Sequence, residues 1–391
     1  MKFNFDKIIN RKDTNSIKWD CYKKFLFDKE NLLPMWVADM DFESPPEVKK
    51  SIIERAKHGI YGYSMKPEKY YQSIINWTEK RYDWEIEKEW IVYTPGIVPA
   101  INIAIQIYTE PGDGIIIQSP VYSPFFHSVE QNNRKLLDNK LIFNKKLNKY
   151  EIDFEGLKNL INKNTRMIIL CNPHNPVGRV FSKKELKKLG KIAEKNNLLI
   201  FSDEIHSDII YPDNKHIPIA SINDDLSKRT ITGIAPSKTF NIAGLKSSSI
   251  IIKNKKLRDK FKQFLMKLHL YSTNIFAIEA TIAAYTRGEE WLDSLLKYLN
   301  NNLDIIENYI NDIDGLNFTR PEGTFLAWLD FNELNISHDK LKKKIYNEAE
   351  VGLNDGKSFG ENGKGFMRLN FACPEKTLIE GLDRIKKVFN T

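Results

Sequence analysis

A chain of 391 residues, 41% hydrophobic and 28% charged, is long enough for a large buried core and ordinary in composition for a globular protein of two or three domains. The formal net charge of +8 comes with lysine runs at 183–191 and 253–260 that read as solvated helix faces without interleaved aromatics, so nucleic-acid binding is not expected. No apolar run approaches the ~20 residues of a membrane span, residues 1–20 lack the apolar core of a signal peptide, and Cys21, Cys171 and Cys373 form no CxxC pair; the expectation is a cytoplasmic protein with reduced thiols, no membrane contact, no disulfide framework and no zinc knuckle.

Residues 1–45 show little periodicity and are expected to wrap onto a smaller domain. From there to about residue 285, short runs rich in Ile, Val and Leu alternate with amphipathic stretches of helical length. Ile91–Tyr93 predicts a strand and Val98–Tyr108 a helix. Gly114–Gln118, Arg166–Cys171, Leu198–Ser202, Arg229–Gly233 and Ser249–Ile252 are further strands, with helices over Lys183–Asn196 and Leu257–Lys267. Strands alternating with helices indicate βαβ units and a mostly parallel sheet, and their continuous apolar character fits a sheet covered on both faces. The pattern then changes. A long helix over Glu289–Ile310 precedes the antiparallel strands Leu316–Thr319 and Thr324–Phe331, a helix over His338–Glu350, a strand over Phe366–Phe371 and a terminal helix from Glu375. The expected division is a large domain over 46–284 and a small α+β domain made of 1–45 and 285–391.

Ligands of open α/β sheets bind beyond the carboxyl ends of the strands. Three successive strands run into polar, turn-rich segments there: CNPHNPVG (171–178), SDEIHSD (202–208) and APSKTFNIAGLK (235–246). Singly, each residue has a plain reading: Lys238 as a surface lysine, Asp203 as a turn cap, Asn175 as an Asx turn before Pro176, His206 as a cap on the sheet. Together they fit one chemistry. A partly desolvated lysine such as Lys238 has a lowered pKa and condenses with an aldehyde. A carboxylate such as Asp203 beside a pyridine nitrogen keeps that nitrogen protonated and makes the ring an electron sink. Asn175 can donate to the ring's phenolic oxygen, and Tyr122 in SPVYSPF (119–125) can lie against its face. Upstream, Gly96, Ile97 and Val98 open a helix whose free N–H groups suit a phosphate. The cofactor implied is pyridoxal 5′-phosphate (PLP).

These residues resemble the fold-type I PLP enzymes of the class I/II aminotransferase superfamily, and more closely their cystathionine β-lyase-like C–S lyase branch. The resemblance runs in order through 32–48 (LLPMWVADMDFESPPEV), 58–64 (HGIYGYS), 171–180, 202–208, 235–245, 288–299 (GEEWLDSLLKYL) and 365–374 (GFMRLNFACP). It implies the PLP-dependent transferase fold, an α/β architecture with a mostly parallel seven-stranded sheet between helices plus the small domain. It also implies that Arg368 holds the substrate α-carboxylate with Ala38, Trp36 and Asn175 beside it. Tyr63 would reach the phosphate of a neighbouring subunit's cofactor, which makes a homodimer with shared sites the expected assembly, and Ser237 would touch the phosphate. Aminotransferases usually carry a tyrosine where His206 stands, a serine at Ala235 and an arginine at Lys246; His206 agrees with the lyase branch, and Lys246 becomes the substitute phosphate ligand. The activity implied is α,β-elimination from L-cystathionine or related S-substituted cysteines, with Lys238 and Asp203 as catalytic residues. The alternatives are an aminotransferase on the same fold and a non-catalytic PLP-binding regulatory protein. No GxGxxG follows a strand, which argues against a dinucleotide-binding dehydrogenase, and His174 and His206 have no third ligand at a fitting spacing, so no metal is expected.

Overall fold

Seven apolar segments assemble into one sheet: β1 (Ile91–Thr94), β2 (Gly114–Ile117), β3 (Lys135–Asp138), β4 (Thr165–Cys171), β5 (Leu199–Asp203), β6 (Thr230–Ile234) and β7 (Ser248–Ile251). The spatial order is β1-β7-β6-β5-β4-β2-β3. From β6 across to β3 the neighbours are parallel, whereas β7 runs antiparallel to both β6 and β1. This computed structural model describes residues 3–22 and 32–390.

The sheet is covered on both faces, as continuous apolar strands require. Met167, Ile168, Ile169 and Leu170 of β4 are buried on alternate sides. Ile169 joins Ile101, Ile105, Ile115 and Phe201 in one core, and Ile168 joins Leu186, Leu189 and Ile200 in another. Each such side chain contributes ~1.5–3 kcal/mol by leaving water. The helix Lys183–Lys195 starts where the sequence sets a capping box, Ser182 receiving the Glu185 N–H while Glu185 caps the Ser182 N–H.

A second sheet, of four strands, holds the C-terminal part: β8 (Asn317–Phe318), β9 (Leu326–Asp330), β10 (Asn354–Asp355) and β11 (Phe366–Asn370), ordered β8-β9-β11-β10. The long helix Glu289–Asn311 and the terminal helix Glu375–Phe389 form as expected. The helix expected over His338–Glu350 instead runs α-helical to Lys343 and widens to a π-turn over Lys344–Glu348. The wider turn lets the consecutive residues Ile345 and Tyr346 both stay in the core.

Parts of the N-terminal segment contact this C-terminal part. Leu33–Pro34 pairs in parallel with Val351–Gly352, and Phe5 meets Phe42 and Trp291 edge-on. Between these anchors, residues 36–42 form an irregular strap. Elements the periodicity did not single out include β3, β10 and the helices Pro46–Lys57, Glu68–Tyr82, Pro124–Gln131 and Ile275–Arg287. No helix among the described residues is long and apolar enough to cross a membrane.

Candidate active site

Three parallel strands end side by side. Cys171 at the end of β4 is in register with Asp203 at the end of β5, and Asp203 with Gly233 of β6. The loops beyond them, the start of the helix Ile97–Tyr108, the strap and β11 enclose a cavity of about 730 Å³. Its walls bring together Trp36, Ala38, Gly96, Ile97, Val98, Tyr122, Asn175, Asp203, His206, Ser237, Lys238, Lys246 and Arg368. Every sequence-predicted site residue except Tyr63 therefore faces one space. Tyr63 stands fully exposed on an irregular segment and is not part of this chain's cavity lining.

Among the described residues, the charges in the cavity form no ion pair. Asp203 is buried, its carboxylate accepts only the Ile205 N–H at 3.2 Å, and it has no cationic partner within ion-pair distance among the described residues. Burial pushes its pKa up to about 7, with the Ile205 hydrogen bond and the Lys238 charge acting the other way. Burial likewise brings Lys238 down to about 8 against the attraction of Asp39 and Asp203. The Lys238 amine donates to the Ala38 carbonyl at 2.6 Å. His206 is held neutral, first by burial and then by the nearby Lys238 and Arg368 charges; its ring stands edge-on to Phe325 and its Nδ1 has no partner.

Arg368 is a buried guanidinium facing no carboxylate among the described residues. Its Nη1 donates to Asn175 Oδ1 at 2.9 Å, its Nη2 to the Trp36 carbonyl at 2.8 Å and to Asn354 Oδ1 at 2.5 Å, and its Nε has no partner among the described residues. Burial lowers its pKa to about 10. A buried cation held in place by neutral acceptors is a site for an anion, and the planar fork suits a carboxylate. The N–H of Ala38 has no acceptor among the described residues, nor do those of Ile97 and Val98 at the uncapped helix start.

These features fit PLP with an amino-acid substrate: a nucleophilic amine at Lys238, a carboxylate at Asp203 with no ion-pair partner among the described residues, free N–H groups for a phosphate with Ser237 and Lys246 in the same cavity lining, and an anion seat at Arg368. Asn175 already spends its carbonyl on Arg368, which leaves its Nδ2 as the available donor. Sequence reasoning missed Asn354, which no motif marks. It also passed over Asn241 and Asn370, which lie within segments quoted for the resemblance but carry contacts visible only in three dimensions.

The comparisons agree with this geometry. The chain is 42% identical to cystathionine beta-lyase PatB of Bacillus subtilis (strain 168), over 98% of this chain and 99% of that protein. It superimposes on a PLP-bound structure from Clostridium difficile 630, described by an aminotransferase name, with a TM-score of 0.97 and 45% identity over 99% of this chain and 100% of the other. With cystalysin from Treponema denticola, whose structure contains pyridoxal 5′-phosphate, the TM-score is 0.96 and the identity 36%, covering 100% and 99% of the two chains. Residues 30–385 match the family described as Aminotransferase class I and II, and the chain belongs to that family.

Proposed function

We propose that this protein is a PLP-dependent carbon–sulfur β-lyase that acts on L-cystathionine or related S-substituted cysteines. With cystathionine and one water, the products are homocysteine, pyruvate and ammonia. The observation that carries this reading is the convergence of Lys238, Asp203 and Arg368, each buried or partly buried and without an ion-pair partner among the described residues, on one cavity of a chain 42% identical to a cystathionine beta-lyase.

Lys238 would hold the cofactor, with Asp203 at its ring nitrogen, Asn175 and His206 near its oxygen, Tyr122 on its face, and Gly96, Ile97, Val98, Ser237 and Lys246 around its phosphate. Bound there, PLP supplies an aldehyde that condenses with amines and a ring that accepts the electron pair released at Cα. Arg368 binds the substrate carboxylate in two hydrogen bonds and so orients Cα toward Lys238, with the Ala38 N–H and Trp36 beside it. Lys238 Nζ takes the Cα proton; a pKa near 8 keeps a useful fraction of the amine free at neutral pH. Asp203, as carboxylate, holds a proton on the ring nitrogen. A β-thiolate is a good leaving group because its conjugate thiol has a pKa near ~8.5, so elimination outruns reprotonation.

The assembly is a homodimer with shared sites. Ile60, Tyr61, Tyr63 and Met65 expose a run of large apolar side chains, the kind of surface a second copy covers. Tyr63 then serves the neighbouring subunit's phosphate. The chain divides into a large unit over 46–284 and a small one of 1–45 with 285–391, and the site lies where the two meet.

Incubation with cystathionine and no keto acid tests the activity. Pyruvate and thiol should appear in equal amounts, and alanine should give at most slow half-transamination. The second reading, amino transfer, is supported by the name of the Clostridium difficile structure. It would be established by turnover that needs a keto acid and forms a new amino acid. No turnover at all in PLP-loaded protein would favour a non-catalytic binding role.

A further inference from the structure

The strap of residues 36–42 carries two of the groups that matter in the cavity: the Ala38 carbonyl, which receives the Lys238 amine at 2.6 Å, and the open Ala38 N–H. Nothing in the strap is a regular strand, so its position depends on what holds it. Three sets of contacts do. From the small sheet, Asn370 Nδ2 donates to the carbonyls of Val37 and Asp39 at 2.5 and 2.6 Å, and Arg368 reaches the Trp36 carbonyl. From the N-terminal segment, Arg11 pairs with Asp39 and Asp41, and the buried Lys18 with Asp41. From the segment that follows β6, Asn241 supplies the third. Its Oδ1 accepts the Met40 N–H at 3.0 Å, and its Nδ2 donates to the carbonyls of Met40 and Phe42 at 3.0 and 2.8 Å. The amide side chain thus pairs with Met40 in both directions, as a neighbouring strand would.

Asn241 lies three residues after Lys238, just past the one-turn helix Pro236–Thr239 that carries the lysine, and its φ is +55°, a left-handed conformation that asparagine tolerates better than most residues. It ties the strap to the lysine segment directly. Arg11, Lys18 and Asn370 fix the strap relative to the N-terminal segment and the small sheet, not relative to Lys238.

We propose that Asn241 is a positioning residue: by clamping Met40 and Phe42 to the lysine-bearing segment, it holds the Ala38 carbonyl on the Lys238 amine and keeps the Ala38 N–H open to the substrate carboxylate. This deepens the reading of Lys238 and Arg368 given above and stands only if those roles are correct. The Ala38 carbonyl then has a definite task. Once Lys238 has taken the Cα proton, its ammonium needs an acceptor, and the carbonyl at 2.6 Å provides one.

Asn241→Gly separates this role from backbone strain, since glycine adopts positive φ freely while removing all three side-chain hydrogen bonds. Asn241→Asp keeps the acceptor for Met40 N–H and turns the donor into an acceptor facing two carbonyls. Two readouts are taken per PLP-loaded site, counted by absorbance: steady-state constants with cystathionine, and the rate at which alanine in D₂O exchanges its Cα hydrogen. Asn241→Gly should raise KM about tenfold and slow exchange at saturating alanine about tenfold, and Asn241→Asp should be at least as impaired. A turnover-independent readout is reductive methylation of Lys238 at pH 7 after the cofactor is removed. Loss of the carbonyl acceptor disfavours the ammonium, so labelling should run several-fold faster in Asn241→Gly. Wild-type KM, exchange and labelling in Asn241→Gly would overturn the proposal; if that variant does not fold, near wild-type constants in Asn241→Asp would do so. Borohydride reduction of the wild type is the control for the underlying reading. An adduct off Lys238 defeats that reading, whereas an adduct on Lys238 with an indifferent Asn241 defeats only the clamp.

Discussion

Replacing Arg368 by lysine keeps the charge and removes the planar fork, and the surroundings of Arg368 set the size of the effect. The guanidinium now serves Asn175, the Trp36 carbonyl and Asn354 at 2.9, 2.8 and 2.5 Å while its Nε remains unpartnered among the described residues. An ammonium has three donors radiating from one point and cannot hold these acceptors and grip a carboxylate in two places. The variant should lose about two charge-assisted hydrogen bonds to substrate, at ~1.5–3 kcal/mol each, which corresponds to a ~10²–10⁴-fold fall in kcat/KM. The assay is thiol release from cystathionine, run beside an analogue of the same thioether that lacks the α-carboxylate. The analogue should be a poor substrate for both proteins and lose little on mutation, because it has no carboxylate to misplace. A loss below about fivefold on cystathionine, or an equal loss on both compounds, would refute the assignment of Arg368 to the carboxylate.

The amine of Lys238, with its pKa lowered to about 8, attacks an aldehyde only when unprotonated; the rate at which cofactor-stripped protein takes up PLP should therefore fall ~10-fold for each pH unit below 8, and a rate flat from pH 6 to 8 would contradict the buried amine. Borohydride-trapped PLP should map to Lys238, and an adduct on Lys246 would overturn the site. Asp203 carries a raised pKa of about 7 in the fold. The folded, cofactor-free protein then binds more protons than the unfolded chain between pH 4 and 7, and stability falls as pH rises through that window. Asn at this position should remove that slope, stabilise the cofactor-free protein at pH 8 by up to about 4 kcal/mol in denaturant melts, and lower turnover at least ~100-fold, the stability and activity moving in opposite directions. Subunits carrying Lys238→Ala and subunits carrying Tyr63→Phe, each badly impaired alone, should recover part of the activity when mixed, and no recovery in verified mixed dimers would argue against a shared site.

Much of the sheet was legible because burial on both faces writes itself into sequence as short, unbroken apolar runs, and because helix starts such as Ser182 with Glu185 carry their own hydrogen-bond partners. Edge strand β3 escaped notice since Lys135–Asp138 lies at the sheet margin with its polar residues partly exposed, which erases the apolar signature. The reversed direction of β7 was equally hidden, since Ser248–Ile251 has the same composition whichever way it runs.

By itself the sequence determined the strands and helices with strong local patterns, the three polar segments that follow successive parallel strands, and the kinds of groups they present: an amine at 238, a carboxylate at 203, an amide at 175. Those signals are local, and the rule that ligands sit beyond carboxyl strand ends makes them additive. Only the tertiary structure decided that the Arg368 guanidinium is shared among Trp36, Asn175 and Asn354, that Asp203 has no cation within ion-pair distance among the described residues, and that Asn241 and Asn370 hold one strap from the lysine segment and the small sheet. These partners lie up to 333 residues apart in the chain. Their pairing depends on how the two sheets pack, and no periodicity within a segment carries that information.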